Sequence, residues 1–330
     1  MPEQPTISTP FISVKALSRY YGPIHAVRNI SFDVQRGEVL GFLGPNGAGK
    51  STTMQMLAGN LAPTSGQILI NGIDLLDQPK RAKADIGYLP EQPPLYKELT
   101  VDEYLAYAAR INRIARTQQR QGIDAAKQRC GLTDVGRRLI GNLSKGFQQR
   151  VGIAQAIIHS PAIVILDEPT VGLDPIQIRE IRHLIRELGD SHGVILSTHI
   201  LPEVQATCDR VQIIHNGELV LSDSLAHINE DTRPSSLTVA FEKPPAESAL
   251  AALQQVQSVE TLGTNRFRVH FDPAHNPATH IAQQAVTQGW GLLELTPQQR
   301  TLEEIFVQIT SREHHADTST QETGAEEHAA

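Results

Sequence analysis

The octapeptide Gly44-Pro45-Asn46-Gly47-Ala48-Gly49-Lys50-Ser51 lies between an apolar run, Val39–Leu43, and a helix-forming run, Thr52–Ala58, that stops at Gly59. Few folds accommodate a buried strand, closely spaced glycines, a lysine and then a helix. Glycines let consecutive backbone N–H groups point into one concavity, and the unpaired N–H groups and dipoles at the head of the helix favour an anion there. The pattern therefore predicts a phosphate cradle at the end of a sheet strand. Its candidate residues are Gly44, Pro45, Asn46, Gly47, Ala48, Gly49, Lys50, Ser51 and Thr52. Lys50 would reach the β- and γ-phosphates of a nucleotide, and the Ser51 hydroxyl would ligate Mg²⁺.

Two more apolar runs end in polar groups. Ile163–Leu166 leads into Asp167-Glu168, and Val194–Leu196 leads into Ser197-Thr198-His199. Continuous β-branched runs read as parallel strands buried on both faces, and a helix over Ile176–Leu188 between them predicts that the two strands pair in parallel. Both acids and the imidazole would then emerge at the carboxyl ends of the strands, where such sheets hold ligands. Adjacent carboxyls can divide the labour there: Asp167 helps hold Mg²⁺ and Glu168 takes a proton from the attacking water. His199 could hydrogen-bond the γ-phosphate and orient that water. Leu143-Ser144-Lys145-Gly146 precedes a helix whose Phe147, Val151, Ala154 and Ile158 share one face, so Ser144 and the Gly146 N–H stand at another helix N-terminus suited to an anion. Gln92, among prolines, is uninformative taken alone.

A net charge of −7, from 29 Lys+Arg against 36 Asp+Glu, gives no overall attraction to polyanions, so no nucleic-acid partner is expected. Cys130 and Cys208 show no C-x-x-C spacing, which points away from a zinc site or a disulfide framework and toward a reducing cytosol. Met1–Pro5 has neither a basic segment nor a following apolar one, against a cleaved secretory signal. No run reaches the roughly 18 apolar residues of a membrane span, so a membrane crossing would come from another polypeptide.

The half-alternating segments Ile12–Leu17 and Ile30–Val34 predict antiparallel strands, Gln67–Ile70 a further strand, and Val211–His215 with Asn216-Gly217 and Glu218–Leu221 a hairpin. Tyr104 to Cys130 reads as helix and belongs to a helical insertion at about residues 93–155. Residues 1–230 are thus expected to form one large domain. Residues 231–310 should form a small α+β domain with strands at Leu237–Phe241, Arg266–Phe271 and Gly291–Leu295, and helices at Ala249–Val256, Ala278–Thr287 and Leu302–Ile309. Residues 311–330, acidic and poor in large apolar groups, read as a disordered tail whose His314-His315 pair is more simply solvated than metal-bound.

Taken together, the ordered motifs over roughly the first 225 residues resemble the ATP-binding-cassette ATPases. In that family's terms Gly44–Ser51 is similar to the Walker A loop, Gln92 to the Q-loop, Leu143–Gln148 to the signature, Ile163–Glu168 to the Walker B strand, Gly172-Leu173-Asp174 to the D-loop and His199 to the switch histidine. Tyr21 occupies the position of the aromatic that stacks on adenine. The resemblance implies an α/β P-loop NTPase domain with a mixed sheet core, an antiparallel β subdomain and a helical insertion, followed by a small C-terminal α+β domain. It implies ATP and Mg²⁺, the latter held by Ser51, Gln92 and Asp167, and catalysis by Glu168, His199 and Gln92. It also implies a homodimer or heterodimer in which Ser144 and Gly146 of one subunit close over nucleotide held by Lys50 of the other. The partner would be an integral-membrane permease, and the site of action the inner face of the cell membrane.

The run LSKGFQQR departs from the commonest signature, LSGGQ, at Lys145 and Phe147 but keeps Ser144 and Gly146. This form resembles the ABC-2 type exporter ATPases of bacteria, and Tyr88-Leu89-Pro90-Glu91 with Pro94-Leu95-Tyr96 resembles their gliding-motility-associated subgroup. An ATPase acting on ribosomes is the alternative, but such proteins usually carry two cassettes, and one is present here. A chromosome-structure ATPase would need long heptad repeats, which do not occur.

Overall fold

The computed structural model describes residues 10–231, 234, 236–272, 274–298, 302 and 306. Strand β1 (Ile12–Tyr21) buries Ile12, Val14 and Leu17 and turns back at Gly22 into β2 (Ile24–Val34). The two are antiparallel, with Ile12 opposite Val34, as the alternation predicts. Next come β3 (Val39–Leu43), α1 (Lys50–Leu57), β4 (Ser65–Ile70) and β5 (Ile73–Asp74). β4 and β5 complete a four-stranded sheet in the order β2-β1-β4-β5.

A short helix α2 (Pro79–Ala82) leads to β6 (Ile86–Leu89), and the helical insertion follows as α3 (Val101–Ile111), α4 (Arg116–Arg129) and α5 (Lys145–Ile157). The helical stretch expected over Tyr104–Cys130 is thus two helices. Arg113 takes φ 57°, a left-handed conformation that no helix continues through, and the chain re-enters helix only at Arg116. Helix α3 starts earlier than expected because Thr100 and Glu103 form a reciprocal cap: Thr100 N donates to Glu103 Oε2 at 2.8 Å and Glu103 N donates to Thr100 Oγ1 at 3.2 Å. At the far end of α4, Arg129 donates to Ser191 Oγ at 2.9 Å and lies 3.0 Å from His192 Nε2, which ties the insertion back to the sheet domain.

Strand β7 (Ile163–Asp167), α6 (Pro175–Gly189), β8 (Gly193–Thr198), α7 (Leu201–Thr207) and the hairpin β9 (Arg210–His215) with β10 (Glu218–Ser224) finish the sheet domain. The central sheet runs β10-β9-β3-β8-β7-β6, with every neighbour parallel except the β9–β10 hairpin. Asp167 is paired with Ser197, and Leu43 with Thr198, so the three strand exits lie side by side. Every residue of β3, β7 and β8 is buried, as their uninterrupted apolar runs require. Ile163, Ile165, Ile195 and Phe42 enter one core with Ile12, Val34 and Ile70 from the antiparallel sheet. Each such fully buried side chain stabilises the fold by roughly 1.5–3 kcal/mol.

The chain divides into two compact units after Leu225, within a stretch that continues as α8 (Leu225–Asp231). The second unit contains β11 (Ser236–Phe241), α9 (Glu247–Ala251), β12 (Val256–Gly263), β13 (Arg266–Phe271), α10 (Ala278–Thr287) and β14 (Leu292–Gln298). Its sheet order, β12-β13-β11-β14, with every pair antiparallel, is the split β-α-β arrangement. The helix expected over Ala249–Val256 ends at Ala251, and Val256 instead opens a strand, because Gln255 at φ 71° turns the chain. Leu237, Val239, Phe241, Phe267, Val269 and Ile281 form this unit's own core. Leu302 and Phe306 are helical. The rest of the helix expected over Leu302–Ile309, the tail 311–330 with His314-His315, and Met1–Pro5 lie outside the described residues.

Candidate active site

The Gly44–Ser51 loop leaves β3 and enters α1 at Lys50. Gly47 and Gly49 adopt φ 82° and 107°, and at Gly49 a Cβ would strike the Ala26 carbonyl, so only glycine fits there. No side chain caps α1, which leaves its first N–H groups directed outward for an anion. The loop borders a cleft of about 400 Å³ lined by Ala26, Asn46, Gly47, Gly49, Lys50, Ser51, Thr52, Glu91, Glu168, Val171 and His199.

Lys50 is 5% exposed, and its Nζ donates to the carbonyls of Gly44 at 2.8 Å and Pro45 at 3.1 Å. The same ammonium stands 3.5 Å from Glu168 Oε1. Glu168 is buried, and its backbone N–H donates to Ser197 O at 2.9 Å while its φ is 50°. A left-handed glutamate is strained by about 1–3 kcal/mol, and such strain gathers at functional sites. Both Glu168 carboxyl oxygens lie 3.0 Å from His199 Nδ1. With Glu168 ionised, Nδ1 carries the proton, which leaves Nε2 as the free nitrogen of the ring.

Asp167 is 2% exposed and accepts from Ser197 Oγ at 2.7 Å. Burial pushes its carboxyl above the ordinary range; hydrogen bonds from the hydroxyls of Ser197 and Ser51 pull the other way, and the charges of Glu168 and Glu91 add to the rise. A folded acid that keeps its proton to higher pH contributes stability that is complete below the ordinary carboxylate range and is lost as pH rises through the raised value. Asp167→Asn removes that loss. In metal-free buffer its Tm should exceed that of the unmutated chain by a few degrees near neutrality and by nothing below ~pH 3. A Tm gain of equal size at both pH values would contradict the burial argument.

The sequence candidates do not all meet here. Asn46, Gly47, Gly49, Lys50, Ser51, Thr52, Glu168 and His199 line the cleft, Asp167 touches Ser51, and Gly44 and Pro45 hold Lys50 through their carbonyls. Ala48 is buried behind the loop, where its carbonyl accepts from Gly217 N at 3.0 Å. Gln92 lines the neighbouring cleft with Lys97, Lys145, Gln148 and Gln149, next to Glu91 and Val171, which border both clefts. Tyr21 is exposed at the tip of the β1–β2 hairpin, with the Arg19 guanidinium 4.8 Å from its ring centre. Ser144 caps α5 by accepting from Phe147 N at 3.4 Å, and a Cβ on Gly146 would fall 2.6 Å from Gln177 Cδ. Neither Ser144 nor Gly146 borders the Lys50 cleft.

Ala26, Glu91, Val171 and Ser197 were not singled out from the sequence. Ser197 had a local signal, since it precedes Thr198-His199 at the end of a buried strand; the other three reach the site only through tertiary packing. Cys130 and Cys208 are buried free thiols, and burial pushes Cys130 up to about 12 and raises Cys208 as well.

The ABC transporter family pattern matches residues 27–171. The bacitracin transport ATP-binding protein BcrA of Bacillus licheniformis is 35% identical over 306 residues, spanning 90% of this chain and 96% of BcrA. The ABC transporter ATP-binding protein NatA of Bacillus subtilis is 40% identical over 220 residues, 66% of this chain and 89% of NatA. The dimeric post-hydrolysis structure of the ATP-binding cassette MJ0796, bound to ADP and Pi, superposes with a TM-score of 0.59 at 25% identity, covering 65% of this chain and 98% of that one. The relatives are transport proteins by name, and the ribosome-acting alternative finds no support among them. A phosphate cradle, two strand-end carboxyls and a histidine on one sheet edge, in a chain so closely matched to these relatives, place it in the ABC transporter family, as an ATP-binding and ATP-hydrolysing subunit.

Proposed function

We propose that the chain powers an ABC-2 type exporter as a dimer seated against a separate permease on the inner face of the cell membrane. Within it Glu168 acts as the general base, His199 orients the base through Nδ1, and Lys50 with the loop N–H groups neutralises the phosphates. A water on Glu168 would lose its proton to the carboxyl as its oxygen attacks the γ-phosphorus; the bond from that phosphorus to the β,γ-bridging oxygen breaks, ADP leaves with the bonding pair, and the Lys50 ammonium gathers the charge that builds on the phosphate oxygens. The donor set fits Mg²⁺: a serine hydroxyl in contact with a strand-end carboxyl supplies the oxygen ligands that Mg²⁺ takes beside substrate phosphates. Ser51 and Asp167 would hold the ion, with Gln92 reaching in from the adjoining cleft; bound there, Mg²⁺ neutralises phosphate charge. Tyr21 would lie against the adenine.

The observation that carries the dimer is the separation of Ser144 and Gly146 from their own cleft. An anion-ready helix N-terminus with no part in the Lys50 site finds its use across a two-fold axis, over nucleotide held by a second copy. The exporter assignment rests on the LSKGFQQR signature and on the likeness to BcrA, whose name describes bacitracin transport. Among the described residues no helix is long and apolar enough to cross a membrane, so the crossing falls to the permease.

On sedimentation, the Glu168→Gln chain should run as a dimer with Mg–ATP and as a monomer without it, and adding Ser144→Arg should abolish the dimer while nucleotide still binds. A Ser144→Arg chain that dimerises as before would remove the head-to-tail clamp. Recovery from detergent-solubilised membranes with ribosomes and no membrane protein would remove the exporter reading.

A further inference from the structure

Glu203 is 1% exposed in the first turn of α7. One hydroxyl from the loop after β7 and one from the last residue of β8 occupy its oxygens: Thr170 Oγ1 donates to Oε1, and Thr198 Oγ1 donates to Oε2 at 2.9 Å. Thr170 follows Glu168 by two residues, and Thr198 immediately precedes His199. Because His199 Nδ1 lies 3.0 Å from Glu168, these links close a ring: Glu168, Pro169, Thr170, Glu203, Thr198, His199 and back to Glu168. Thr198 Oγ1 also accepts from Ile200 N at 3.1 Å, which fixes its rotamer.

Stability alone does not account for this arrangement. A buried carboxyl loses hydration that hydroxyl donors return only in part, and an apolar side chain of similar volume would pack there without that penalty. What the carboxyl provides is a rigid two-pronged spacer. The helix that carries it sits close to the central strand: a Cβ on Gly41 of β3 would fall 2.9 Å from both Val204 Cγ1 and Cys208 Sγ. Glu203 is therefore referenced to the strand that feeds the phosphate loop, while its two oxygens hold the loop that follows β7 and the end of β8.

We infer that Glu203 is a positioning residue for ATP hydrolysis, holding Glu168 and His199 at their working separation through Thr170 and Thr198. The inference rests on the reading of Glu168 and His199 as the working pair. A misplacement of about 1 Å at such a pair costs up to ~10²-fold in rate. Glutamine in place of Glu203 keeps the volume but turns one acceptor into a donor, so one threonine hydroxyl must reverse from donor to acceptor, and Thr198 Oγ1 already accepts from Ile200 N at 3.1 Å.

The test is steady-state hydrolysis by the full chain, with affinity for a fluorescent ATP analogue and Tm measured alongside. Glu203→Gln and Thr198→Val should each lower kcat by about tenfold or more, with nucleotide affinity and KM within about twofold of the unmutated chain. In the Glu203→Gln/Thr198→Val double variant the losses should not multiply, since both break one ring. Losses that multiply, or a loss of affinity and Tm in proportion to kcat, would overturn the positioning role. So would full activity in Glu203→Gln beside an inactive Glu168→Gln, whereas full activity in Glu168→Gln would overturn the underlying site reading together with this one. If Glu203→Gln fails to fold, Thr170→Val and Thr198→Val, which leave the carboxyl in place, decide the question by the same split between kcat and affinity.

Discussion

Glu168→Gln is expected to bind nucleotide as tightly as the unmutated chain and to hydrolyse it at least ~10²-fold more slowly, a loss of about 2.7 kcal/mol or more in the transition state. Glutamine fills the same volume, and its carbonyl oxygen can still face the Lys50 ammonium, 3.5 Å from Glu168 Oε1. The main chain is held independently by the Glu168 N–H to Ser197 O bond, so the loop keeps its path. What disappears is basicity, because an amide cannot take the proton of an attacking water. Phosphate release and fluorescent-nucleotide titration on the same preparation separate the two quantities. An unchanged rate would end the assignment of Glu168 as base; a parallel loss of affinity would make it a binding residue instead.

The second large effect is expected at Lys50. Among the residues that line the cleft it is the one lysine or arginine, 5% exposed and held by the Gly44 and Pro45 carbonyls. Lys50→Ala should weaken nucleotide affinity by about 10²-fold, since charge-assisted hydrogen bonds to phosphate are each worth roughly 1.5–3 kcal/mol. It should also destabilise the chain by up to about 3–5 kcal/mol, because a buried Glu168 loses its partner. Combining it with Glu168→Gln separates the contributions: removing the orphaned charge should restore most of the lost Tm while affinity stays low. A double variant that melts no higher than Lys50→Ala would show that the lysine supports the loop by its carbonyl bonds alone.

The parts of this architecture that were legible from sequence are those where one residue type is physically forced. Runs such as Ile163–Leu166 and Val194–Leu196 can be uninterrupted only if both faces of the strand are covered, and they fix where Asp167 and His199 emerge. Strand β6 was not legible because its four residues include Gly87, where a Cβ would collide with the Ala156 carbonyl of α5; that requirement is invisible until α5 is packed. Edge strand β12 hides its pattern behind exposed polar residues, so Val256 was assigned to the preceding helix. The helical insertion was legible as helix, but its break at Arg113 was not, because nothing in Asn112-Arg113-Ile114 forbids continuation. Within the site, motif residues announced themselves, while Glu203 stayed hidden because its meaning lies in two hydroxyls thirty-three and five residues away in sequence.

Glu168 adopts a backbone conformation that glycine occupies freely and other residues resist. Glycine at 168 would release that strain of about 1–3 kcal/mol, yet it would also strip the buried Lys50 ammonium of the carboxylate 3.5 Å away, a larger cost of about 3–5 kcal/mol, so a search for heat-resistant variants would pass this position by. The awkward backbone of one residue is kept in place by the charge of its neighbour.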